Sequence, residues 1–130
     1  MANNVEKVMQ IRSEQSKIMS KALESRYVSN VVAHIRQVFP GFLKHNRIPQ
    51  EHLDRVVREG IAKARRYGIE SQGGVSRFIE CMIILGVDFD DSEDYSWAKA
   101  TLQRDDLESE EKLEELSGYI LMNWVELSHA

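Results

Sequence analysis

The chain has one cysteine, two prolines and no apolar run approaching the ~20 residues that span a bilayer. A single cysteine excludes an internal disulfide and suits a reducing compartment. Cys81 stands beside Met82 and Ile83 and reads as a small buried hydrophobe, because a reactive thiol needs exposure and a cationic neighbour. The longest apolar run, residues 81–87, falls inside a helical pattern and marks a helix buried on all sides. The opening Met1-Ala2-Asn3-Asn4-Val5-Glu6-Lys7 lacks the basic-then-apolar order of a signal peptide. The expectation is a cytoplasmic protein with no membrane partner.

Motifs of catalysis and metal binding are also missing. There is no G-x-S-x-G elbow and no G-x-x-x-x-G-K phosphate loop. His34, His45, His52 and His129 show no close pairing of the metal-ligand kind. The acidic loop from Asp88 to Asp94 invites a calcium reading, which fails in two registers. Counting from Asp88 puts Glu93 where glycine is required and Lys99 where a bidentate glutamate is required; counting from Asp90 ends on Thr101. Helix capping and solvation account for these acids. The expectation is a non-enzymatic protein with no catalytic residues, metal or cofactor.

What is present is helical periodicity. Leu53, Val56, Val57, Gly60, Ile61, Ala64 and Tyr67 recur at the spacing of one helix face, and Val75, Phe78, Ile79, Met82, Ile83 and Gly86 repeat the pattern after a short turn. Two such stripes bury each other as an antiparallel pair. Gly68 closes the earlier helix and Ser71 caps the later one. A first helix is expected from about Asn4 to Val38, stopped by Pro40-Gly41, with residues 1–25 projecting, flexible or paired with a partner helix. Residues 42–48 read as a loop, and Pro49 as the first residue of the second helix. A fourth helix is expected over Ser92 to Arg104 and a last one from Ser109, with a stripe of Leu113, Leu116, Ile120, Trp124 and Leu127. The fold class is all-α: one domain, residues 1–130, in a bundle of about five helices.

Charge is unevenly placed. Residues 1–86 carry 14 Lys/Arg against 8 Asp/Glu, and residues 87–130 carry 3 against 13. Either the acidic tail helices offset the basic first half within one domain, or two faces of opposite sign meet two partners. The first is the simpler reading. Arg55, Arg58, Lys63, Arg65 and Arg66 make residues 50–67 basic, which raises a nucleic-acid-binding regulator as an alternative. In a helix-turn-helix, however, the second helix reads the bases, and here that helix has Arg77 as its only cation.

Four segments resemble a group of small helical proteins encoded beside type VI secretion genes. They are Arg26-Tyr27-Val28 leading to Ile35-Arg36-Gln37-Val38-Phe39-Pro40; residues 57–69, ending in Ala64-Arg65-Arg66-Tyr67-Gly68-Ile69; Val75-Ser76-Arg77-Phe78-Ile79-Glu80 with Leu85-Gly86-Val87-Asp88-Phe89-Asp90; and Trp97-Ala98-Lys99-Ala100-Thr101-Leu102 followed by Leu113-Glu114-Glu115-Leu116. The resemblance covers roughly residues 26 to 120 and carries no catalytic residues. It implies a bacterial accessory or co-chaperone-like factor that binds a secretion effector, a spike protein or its chaperone. An immunity protein against a co-encoded toxin fits the same setting, and a homo-oligomer is compatible with both. Arg65, Arg66, Tyr67, Ile69 and Trp97 are the expected partner-binding residues, being types enriched in interface hot spots or adjacent to them. The competing structural reading has Tyr67, Phe89 and Trp97 packing the bundle ends while Arg65 or Arg66 pairs with Asp88 or Asp90.

Overall fold

Helix α1, Ser20–Val38, ends where Phe39 leaves helical geometry (φ −121°, ψ 35°) ahead of Pro40. The computed structural model describes residues 20–129; the expectations for residues 1–19 lie outside them. The proline does not end helical structure. It occupies the first position of a short helix, α2 (Pro40–His45), so the expected loop over residues 42–48 is half helix. Burial of Leu43 and Ile48 holds this turn against the core.

Pro49 precedes a 3-10 turn, Gln50–His52, rather than opening the second long helix, which is α3, Leu53–Arg66. Ser71 caps α4 (Gln72–Leu85) as expected, its Oγ accepting from the Gly74 amide at 3.0 Å. After α4 comes a 3-10 turn, Phe89–Asp91, and a second one, Glu93–Tyr95, stands where the fourth helix was expected to start at Ser92, leaving α5 as Ser96–Leu102. Helix α6, Ser109–Met122, starts where expected behind a capping box of Glu108 and Glu111. It breaks at Asn123, and α7 (Trp124–His129) follows. The described residues therefore hold seven α-helices and no strand: the five expected, plus α2 and α7.

One core runs through all of this. Ile35 of α1, Leu53 and Val57 of α3, Phe78, Met82 and Ile83 of α4, Leu102 of α5 and Leu116 of α6 are fully buried. Helix α4 lies at its centre, which explains why its sequence is apolar nearly all round. At Gly60 the side chains of α4 press close on α3, since a Cβ there would lie 2.6 Å from Ile79 Cγ1 and 3.0 Å from Met82 Sδ.

Candidate functional site

The turn after α3 is fixed by its own hydrogen bonds. Gly68 takes φ +81°, its amide donates to Arg65 O at 3.0 Å, and the Ile69 amide donates to Ala64 O at 2.8 Å. This is a Schellman closure, in which the apolar residue after the glycine folds back onto the helix. Ile69 is consequently fully buried, and it offers nothing to a partner in this conformation.

Tyr67 is half buried at the same turn. Its ring lies 5.9 Å from that of Phe78, which lies 5.6 Å from Phe89. Its hydroxyl donates to Asp90 Oδ2 at 2.6 Å. Burial first, then the Asp90 carboxylate, pushes the phenol well above its ordinary value of 10.0.

Asp90 belongs to Lys63, not to an arginine. Lys63 Nζ donates to Asp90 Oδ1 at 3.1 Å, to Asp88 Oδ1 at 3.1 Å and to Val87 O at 3.0 Å. Burial pulls the ammonium pKa down, and the bonds and charges of the two aspartates outweigh it, so the net shift is upward. The expected pairing of Arg65 or Arg66 with these acids is corrected on this point. Position 63 lies one turn inside α3 and reaches the loop with a buried stem, while both arginines are exposed. The ion pair also joins the basic first half of the chain to its acidic second half, in line with charge offset inside one domain. Asp91 pairs instead with Lys99, at 2.7 Å and inside the acidic half.

The five residues expected to bind a partner do not converge. Arg65 faces a groove bordered by Leu23, Glu24 and Tyr27 of α1. Arg66 and Tyr67 line a different cleft, toward α5 and α6. Trp97 is half buried, its ring 4.6 Å from that of Tyr119, and packs α5 onto α6. Tyr67, Phe89 and Trp97 thus pack the ends of the bundle. The basic helix is equally divided: Arg58 pairs with Asp54 at 2.8 Å, Arg55 with Glu59 at 4.0 Å, and Lys63 is buried.

Among the described residues, the most exposed apolar surface lies elsewhere. Leu121 is 75% exposed, Met122 88%, Val125 70% and Trp124 42%, four large apolar side chains within five residues where α6 passes into α7. The expected stripe contained Trp124 but not the other three, which fall off its spacing onto the polar side. That misplacement was the available signal. Trp124 itself leans on Phe42 of α2, with ring centroids 5.6 Å apart.

No helix of the described residues is long and apolar enough to cross a membrane. Comparison with protein-family models, with curated proteins and with solved structures finds no match to this chain.

Proposed function

We propose that the chain acts by binding another protein, as a non-enzymatic accessory or co-chaperone-like factor for a type VI secretion effector or spike component. The observation that carries the binding part is the exposed run of Leu121, Met122, Trp124 and Val125. Contiguous exposed apolar surface of this kind is uncommon on a protein that works alone. The secretion setting rests on the family resemblance.

The surroundings of the run define what it would receive. Glu110, Glu114, Gly118 and Leu121 follow one another at three- and four-residue steps on the solvent side of α6, so the apolar end continues into an acidic strip. Between Leu113 and Ala130 the sequence has no lysine or arginine. A complementary partner segment is amphipathic, with apolar anchors for the α6–α7 junction and basic residues for the carboxylates.

The test is binding of purified chain to the effector and spike proteins of the same host, comparing wild type with Met122→Asp. The reading predicts roughly tenfold or greater loss of affinity in the variant with the melting temperature unchanged. Equal binding by the two proteins would refute this surface, and binding that disappears with nuclease would favour the nucleic-acid regulator.

A further inference from the structure

We infer that the cleft between the C-terminal end of α3 and helices α5 and α6 binds a small anion, a carboxylate or phosphate group, through Lys112 and Arg66. The cleft has a volume of about 620 Å³. That lies within the range of roughly 300–1,000 Å³ typical of small-ligand sites.

Lys112 carries the argument. It is 8% exposed, and its ammonium donates to one protein acceptor among the described residues, Tyr67 O at 3.1 Å. That bond caps the end of α3 and uses one of three N–H donors. Lys63, equally buried, shows what a satisfied lysine looks like in this protein: three oxygens surround it, two of them charged. Lys112 has no carboxylate partner among the described residues, although a buried charge is costly until it is paired. An anion in the cleft supplies that pairing.

The other charges of the cleft leave room for it. Asp91 is neutralised by Lys99, and Asp90 by Lys63 with a further bond from Tyr67. Arg66 is exposed, lines the cleft and forms no ion pair among the described residues. Asp105 is the one remaining carboxylate of the lining, set against two unpaired cations. Arg66 therefore offers a planar donor fork where Lys112 offers a buried point charge. This site is separate from the α6–α7 junction, so it stands or falls independently of the partner-binding reading.

The experiment is a nitrogen–proton NMR titration of the full chain with inorganic phosphate and, separately, with citrate, at constant ionic strength against sodium chloride. The inference predicts saturable shifts at the amides of Tyr67, Gly68, Gln103 and Lys112 with at least one probe, and the probe that gives them identifies the preferred anion. Arg66→Gln and Lys112→Gln should each weaken that binding roughly tenfold, as expected for loss of one charge-assisted hydrogen bond. Arg66 is exposed, so its variant keeps the test decisive even where Lys112→Gln perturbs folding. Shifts that never saturate, or saturable shifts unchanged in Arg66→Gln, would overturn the site.

Discussion

The Lys63 ammonium lies 3.1 Å from the Asp90 carboxylate at a point where 2% of the aspartate side chain meets solvent. The same ammonium lies 3.1 Å from Asp88, whose side chain is 83% exposed. Equal distances in unequal surroundings separate the two energetically. Asp90→Ala leaves Lys63 with a weaker partner set and Tyr67 without its acceptor, and should cost about 3 kcal/mol. Asp88→Ala removes a screened contact and should cost about 1 kcal/mol or less. Urea unfolding of the two variants checks the contrast.

Two glycines in helices should respond in opposite directions to alanine. At Gly60 the added methyl would meet Ile79 and Met82 inside ordinary contact distance, so Gly60→Ala should destabilise by about 1–3 kcal/mol. At Gly118 nothing lies within 4 Å, and Gly118→Ala should stabilise by about 0.5–1 kcal/mol through helix propensity. Thermal melts of both variants are the measurement.

Arg47 occupies a position that suits glycine. Its φ is 54°, its amide donates to Lys44 O at 3.2 Å, and the Ile48 amide donates to Leu43 O at 2.8 Å, the same closure that Gly68 makes after α3. Arginine pays a steric penalty in left-handed backbone that glycine avoids, so Arg47→Gly should gain about 1 kcal/mol in denaturant unfolding.

Stability should fall on the alkaline side. Burial pushes the Cys81 thiol up to about 12 from 9.0; the Tyr67 phenol is raised above 10.0 and the Lys63 ammonium above 10.5. In each case the unfolded chain loses its proton first, so the stabilisation is complete at neutral pH and declines as pH climbs from the unfolded value toward the folded one. The urea midpoint should therefore hold near pH 7 and drop above about pH 9. Cys81→Ala should remove the earliest part of the decline and leave the part that begins with Tyr67 and Lys63.

The periodicity of α3 and α4 and the capping signals at Gly68 and Ser71 were legible in the sequence, because local geometry enforces them. The identity of the cation at Asp90 was not. Lys63, Arg65 and Arg66 all lie within one helical turn of the loop's reach, and only the packing of α3 on α4 selects the one with a buried stem. Ile69 looked available at a turn, yet a Schellman closure draws that residue inward. Leu121 and Met122 lie off the single stripe of α6, and Val125 follows the break at Asn123, which no proline or glycine marks in the sequence.

Site-specific photo-crosslinking in the native host, with a benzophenone side chain at position 122 and a control at position 51, tests the central claim most directly. Met122 lies on the exposed apolar run, and Glu51 is an exposed residue outside it. The account predicts one dominant, nuclease-resistant adduct from position 122, with a secretion effector, spike protein or its chaperone, and none from position 51. No adduct at position 122, or the same adducts from both positions, would contradict it.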